Sequence, residues 1–150
     1  LVIVGGNPYK TDYTKKIFEE KTDNIVLTGF IYDQTVLKAL WSFCFAYVHG
    51  NSVGGTNPAL LQTMASGCFT IAHDNLFNRD VLSNCGIFYY NLESLVDKMN
   101  WALENENKFA LYKKKAIERI KMYYSWDIVA LQYEKLFLDV FKGKYDKKCY

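Results

Sequence analysis

A surplus of charge, paired cysteines and long apolar runs are all missing from this 150-residue chain. Its 18 basic and 16 acidic residues leave a net charge of only +2, so electrostatics alone predict no nucleic-acid partner. The small surplus gathers late, in Lys113-Lys114-Lys115 and from Lys142 to Lys148. A solvated helix face and a polar tail are one reading of it, and weak attraction to an anionic membrane surface is the other. No apolar run reaches the length that a bilayer-spanning helix needs. The four cysteines, Cys44, Cys68, Cys85 and Cys149, include no CxxC pair. Three of them sit in apolar, strand-like runs where a free thiol behaves as a small hydrophobe, which reads as a reducing cytosol. No signal peptide is visible. Leu1-Val2-Ile3-Val4 begins in the middle of a buried-strand pattern, so the chain is expected to be a piece of a longer protein whose other residues carry part of the chemistry.

What is present is bulk. Half of the residues are hydrophobic and 17% are aromatic, enough to bury a core and well above a disordered composition. Strand and helix patterns alternate. Leu1 to Val4 reads as a strand entering the loop Gly5-Gly6-Asn7-Pro8, and Thr11 to Lys21 as a polar helix with Tyr13, Ile17 and Phe18 on one face. Asn24 to Gly29 is a second strand. Asp33 can cap a helix bearing Val36, Leu37, Leu40 and Trp41 at helical spacing. Phe43 to Val48 is a continuous apolar run, as in a parallel strand covered on both faces. Cys68 to Ala72 and Gly86 to Tyr90 read as further strands, with a short helix from Phe77 to Leu82 between them. Helices follow over Leu92 to Glu104, Lys108 to Tyr123 and Trp126 to Phe141. The expected fold is α/β: a Rossmann-like parallel sheet of about five or six strands with helices on both faces and a helical C-terminal tail. No internal repeat, low-complexity segment or linker divides the chain, so residues 1–150 read as one domain.

One stretch suspends the bulk. In HGNSVGGTNPALLQTMASG, His49 to Gly67, small and polar residues run straight into an apolar helix pattern. Ligands of such sheets bind where the strands' carboxyl ends meet the following helices. Gly5-Gly6, Phe30-Ile31-Tyr32 and His49 to Asn57 all fall at that edge. Gly54 and Gly55 permit positive φ and remove side chains, so a ligand can approach the amides. Pro58 suits the first helical position, which makes Asn57 the N-cap. The free N–H groups of that turn and the helix dipole then suit an anion such as phosphate. A capped turn with no ligand is the competing reading, and neither the Walker nor the GxGxxG pattern is matched. On the helix, Leu60, Leu61, Met64 and Ala65 should form the buried face. Gln62, one turn in, either reaches over the N-terminus or is plain surface.

Other residues carry weaker signals. His49 and His73 end strands at this edge; without a carboxylate motif a metal site is a poor reading. His49 bonds either a phosphate or a loop carbonyl, or is simply structural. Arg79 is a phosphate ligand or, on the preferred reading, a surface arginine. The stripe Tyr123, Tyr124, Trp126 and Tyr133 reads better as helix packing than as a sugar-stacking platform.

The stretches NIVLTGFIY (Asn24 to Tyr32), the Trp41 region, SVGGTNPALLQTMASGCFTIAHDNLFNRDVL and Tyr124-Ser125-Trp126-Asp127 together resemble the C-terminal domain of glycosyltransferase family 4. These are retaining, metal-independent enzymes of the GT-B fold, whose second Rossmann-like domain holds the nucleotide-sugar donor. The loop is most similar to a bacterial subgroup of rhamnosyl- and related hexosyltransferases with the pattern HGxSVGGTNPxLLEAM. The resemblance implies a nucleoside-diphosphate-sugar site: Gly55, Thr56, Asn57 and Ala59 amides at the diphosphate, and Ile31 gripping the base beside Tyr32, with His49 the further candidate at the phosphate from its place at the strand end. The family's second glutamate, on the ribose, falls on Gln62, and its first, on the transferred sugar, falls on Gly54. It also implies no cofactor or metal, and catalytic Arg and Lys residues upstream of Leu1. Acceptor binding, of a saccharide or lipid-linked saccharide, falls to an N-terminal domain outside this chain, against which the aromatic tail packs. Here that tail should leave an exposed apolar patch. The expected parent acts in bacterial polysaccharide synthesis in the cytoplasm, at the inner face of the membrane or peripherally associated with it, while the isolated chain is inactive. Two rivals stand beside it: a non-catalytic binding or structural module with a degenerate donor site, and another GT-B enzyme such as a sugar-nucleotide epimerase.

Overall fold

The computed structural model describes residues 1–9 and 11–144; Cys149 and the end of the lysine-rich tail lie outside the described residues. The chain divides into two compact units, Leu1–Leu40 and Trp41–Tyr150.

In the first unit, β1 (Val2–Val4) and β2 (Val26–Gly29) form a two-stranded parallel ladder, with Val2 opposite Val26 and Ile3 opposite Leu27. Between them lies α1 (Asp12–Glu19), started by a capping box in which Thr11 accepts from the Thr14 amide. The expected buried strand at Leu1 to Val4 is instead exposed, and α1 has no buried residue; Tyr13 and Phe18 face solvent. Two short strands offer too little surface to enclose both faces of a ladder. Helix α2 (Gln34–Phe43) begins at Asp33, whose Oδ1 accepts from the Thr35 amide at 2.7 Å.

The second unit holds β3 (Tyr47–His49), β4 (Thr70–His73) and β5 (Ile87–Tyr89), paired in parallel in the order β3-β4-β5. Helices α3 (Pro58–Ala65) and α4 (Leu76–Leu82) connect them. After β5 come α5 (Leu92–Glu104), a short 3-10 turn (Glu106–Lys108), α6 (Phe109–Tyr123) and α7 (Trp126–Phe141). Among the described residues, five strands are divided between two ladders, of two and three strands. The run Phe43 to Val48 is not all strand: α2 continues through Phe43, which is exposed, and β3 begins only at Tyr47. An apolar run fits a helix end as well as a strand, and its pattern cannot divide the two.

The central strand β4 is enclosed because its two faces meet separate apolar clusters. On one face Ala72 joins Leu60, Met64, Val81, Leu82, Cys85 and Ala116. On the other, Ile71 and Phe69 join Tyr89, Ala102 and Phe109. Helices thus cover both faces of this sheet, as a parallel arrangement requires. Gly86 fits where no side chain can, since a Cβ there would stand 2.5 Å from the Thr70 carbonyl oxygen. By contrast α7 has no buried residue, and Trp126, Tyr133, Phe137 and Phe141 are exposed, matching the expected apolar patch. Among the described residues no helix is long and apolar enough to cross a membrane.

Candidate functional site

The site grows from the end of β3. His49 closes the strand, Gly50 follows, and the chain runs exposed from Asn51 to Thr56 before α3 begins. Gly54 holds φ +125°, a region closed to most side chains, whereas Gly55 does not need a positive φ; neither has an atom near the place a Cβ would take. The loop is open on that side.

Helix α3 starts as its sequence dictates. Asn57 is extended (φ −90°, ψ 119°), its Oδ1 accepts from the Ala59 amide at 3.0 Å, and Pro58 follows at the first turn. The cap thereby occupies the Ala59 N–H, one of the amides expected at a diphosphate. Leu61 N donates to the Asn57 carbonyl at 3.2 Å. The amides of Gly55, Thr56, Asn57 and Leu60 have no protein partner among the described residues. They stand at the positive end of α3, where donors without acceptors favour an anion. Gln62 is exposed and its side-chain amide is unengaged among the described residues. The buried face of α3 is Leu60, Thr63 and Met64. Thr63 replaces the expected Ala65, which is exposed, because its hydroxyl donates to the Ala59 carbonyl at 2.7 Å and so enters the interior satisfied.

Beneath the loop the carboxyl ends of the three strands bring polar groups together. Asn78 of α4, 3% exposed, donates through Nδ2 to the Asn51 carbonyl and to the His73 carbonyl, both at 2.9 Å. Asn75, the N-cap of α4, donates to the same Asn51 carbonyl at 3.0 Å. Two amides therefore anchor the loop at its first turn. Tyr89 at the end of β5 brings its hydroxyl under Gly50, 3.7 Å from where a Cβ would lie, and its ring meets His73 edge-on. Sequence patterns singled out Arg79 in this segment and passed over Asn78. The only local signal was the N-cap spacing of Asn75 and Asn78.

His49 is 1% exposed, with Nδ1 3.2 Å from the Tyr47 hydroxyl and Nε2 without a partner. The buried ring closes β3, and its Nε2, unpartnered among the described residues, is left for a further hydrogen bond. Burial holds its pKa below the ordinary 6.5, with the Asn78 side chain acting in the opposite sense. Because the unfolded chain takes up a proton near pH 6.5 and the folded histidine does not, stability should decline as pH falls from about 6.5. Denaturation midpoints between pH 7.5 and 5 should show this limb, and His49→Gln should remove it. A limb that persists in the variant assigns it to another group.

Arg79 is engaged elsewhere. It forms a bidentate pair with Asp74, with Nη2 2.6 Å from Oδ2, and lies over the Phe88 ring at 5.2 Å. The guanidinium holds the Asp74 carboxyl below its usual range. The loop from His49 to Gln62 contains no cationic side chain, so what it offers an anion is dipolar. No group of three His, Cys, Asp or Glu side chains converges among the described residues.

Ile31 and Tyr32 belong to the first unit, between β2 and α2; His49, Gly54, Gly55, Thr56, Asn57, Ala59 and Gln62 belong to the second. Within the first unit Phe30 stacks on Tyr32, centroids 6.1 Å apart, and Phe30 also closes over Gly6. Ile31 is half-buried and Tyr32 exposed. The loops after β1 and β2 are therefore neighbours.

Among solved structures, the sucrose-phosphate synthase from Thermosynechococcus elongatus superposes with a TM-score of 0.79 at 19% identity, over 95% of this chain and 38% of that one. TarM superposes with a TM-score of 0.71 at 21% identity, over 91% of this chain and 28% of that one. The chain thus spans well under half the length of either structure. Both matches show the fold, that of a GT-B glycosyltransferase domain. No curated protein sequence matches the chain. A family model for glycosyl transferases group 1 matches residues 1–119, and the chain belongs to that family.

Proposed function

We propose that this chain is the donor-binding part of a retaining, metal-independent glycosyltransferase of family 4, similar to the bacterial rhamnosyl- and hexosyltransferases. The observation that carries this reading is the row of unpartnered amides at Gly55, Thr56, Asn57 and Leu60, set at the N-terminus of α3 behind an open loop. A nucleoside diphosphate fits that chemistry, its oxygens accepting from the amides and its charge meeting the helix dipole. Gln62, in the second unit, is the ribose contact.

Departure of a nucleoside diphosphate concentrates negative charge on the leaving oxygens, and stabilising that charge is the main catalytic demand. The loop has only dipoles to meet it, and Arg79 is committed to Asp74. Cationic groups beyond this loop complete the site. The acceptor, a saccharide or lipid-linked saccharide, is held by another domain of the parent. The isolated chain binds donor weakly and transfers nothing. The parent works in polysaccharide synthesis on the cytoplasmic side of the membrane.

Titration with dTDP, UDP and GDP, followed by amide NMR shifts, tests this reading. Gly55, Thr56 and Asn57 should move at millimolar ligand; if they stay fixed, the donor-site reading fails. Gln62→Glu should tighten nucleotide binding several-fold, because a carboxylate is a stronger acceptor for the ribose hydroxyls than an amide. Unchanged or weaker affinity would count against the ribose role. A second reading, a binding module without transfer activity, is favoured by one feature: the family's ribose glutamate is replaced by Gln62, whose side chain is exposed and unengaged. Sugar transfer by the parent protein separates the two.

A further inference from the structure

The two ends of the segment that carries the loop meet through sulfur. Cys44 directly follows α2, Cys68 stands two residues before β4, and their Sγ atoms are 3.1 Å apart although 24 residues separate them in sequence. Both are free thiols. The gap exceeds a disulfide bond by only about 1 Å, so closure needs little movement. Cys44 is partly exposed and Cys68 is buried, which makes Cys44 the sulfur that a small oxidant can reach.

The surroundings divide the roles between them. A hydrogen bond from Cys68 favours the Cys44 thiolate and, with Lys113 nearby and burial opposing, brings that thiol down to about 7. The same hydrogen bond and burial push Cys68 upward, keeping its proton in place. Cys85 differs: it is buried in the cluster with Leu82 and Val81, burial raises its pKa, and its Sγ neighbour is the Asn84 side-chain oxygen at 3.7 Å.

We propose that Cys44 and Cys68 form an oxidisable dithiol that a peroxide-class oxidant closes into a disulfide, clasping together the ends of the segment that contains β3, the glycine loop and α3. The Cys44 thiolate attacks one peroxide oxygen. The O–O bond breaks, the departing hydroxide is protonated to water, and Cys44 becomes a sulfenic acid. The Cys68 sulfur then attacks the Cys44 sulfur; the S–O bond breaks, and hydroxide leaves as a second water with the Cys68 proton. Two thiols are oxidised by two electrons, and one peroxide is reduced to two waters. Reduction by an external thiol restores the pair. This chemistry is independent of what the loop binds.

Peptide mapping by mass spectrometry after brief treatment of the folded chain with hydrogen peroxide tests the proposal. The expected product is a Cys44–Cys68 linked peptide with a mass loss of about 2 Da, reversed by dithiothreitol. It should form equally in a variant carrying both Cys85→Ser and Cys149→Ser, and be absent in Cys44→Ser with Cys68 left unoxidised. Before oxidation, iodoacetamide at pH 7 should label Cys44 about tenfold faster than Cys85. The proposal is overturned if Cys44 proceeds to sulfinic acid without a link, if links to Cys85 or between chains dominate, or if the urea-unfolded chain gives the same product distribution as the folded one.

Discussion

Phe69→Ala should lower the free energy of unfolding by about 3–5 kcal/mol, the range for emptying a fully buried aromatic site. Phe69 is completely enclosed and stacks on Phe109 with centroids 3.9 Å apart, while Tyr112 meets it edge-on at 5.3 Å and Trp101 lies 6.3 Å away. Three large rings lean on one side chain, and they come from α5 and α6. Removing it leaves a void that those rings cannot fill without rotating off the sheet, so the transfer loss and the cavity penalty add. Phe43→Ala supplies the comparison. Phe43 is 88% exposed, and its loss should stay within about 0.5 kcal/mol. Urea denaturation of both variants decides the matter; similar losses for the two would refute this account of the core.

Asn78→Ala should affect both stability and ligand binding. The side-chain amide satisfies the Asn51 carbonyl at the start of the loop and the His73 carbonyl at the end of β4. Alanine leaves the His73 carbonyl without that donor and reduces the loop tether to Asn75 alone, at about 1–3 kcal/mol for a buried polar group left unmet. A loosened loop must be ordered again when a nucleotide binds, so affinity should drop about tenfold, equivalent to about 1.4 kcal/mol. Asn78→Asp discriminates between a shape role and a donor role. It keeps the outline of the side chain but turns an acceptor toward two carbonyl oxygens, and should bind nucleotide more weakly than Asn78→Ala. Equal affinities for Asp and Asn at this position would remove the tether from the account.

Local chemistry made much of this readable in advance. Asn57 and Pro58 announce the start of α3 because capping is decided by neighbouring residues, and the structure places the cap bond where that rule puts it. All five strands were visible as short apolar runs between helical patterns. Boundaries were less so: Phe43 has the same hydrophobicity at the end of α2 as it would have in β3. Thr63 was hidden by its hydroxyl, which is polar in composition but satisfied by a carbonyl one turn back. Asn78 and the Cys44–Cys68 contact were illegible for a different reason. Their partners are 27 and 24 residues distant, and no local pattern reports a distance across the fold.

The loop has fixed ends and a free middle. The Asn51 carbonyl is held by two asparagine amides, and Asn57 is committed to the first turn of α3. Between them Ser52, Val53, Gly54, Gly55 and Thr56 all face solvent, and of these only Gly54 is constrained by its backbone. Side chains at Ser52, Val53, Gly55 and Thr56 can therefore be exchanged without disturbing the sheet beneath. Such a layout lets ligand preference drift over generations while the scaffold that presents it stays the same.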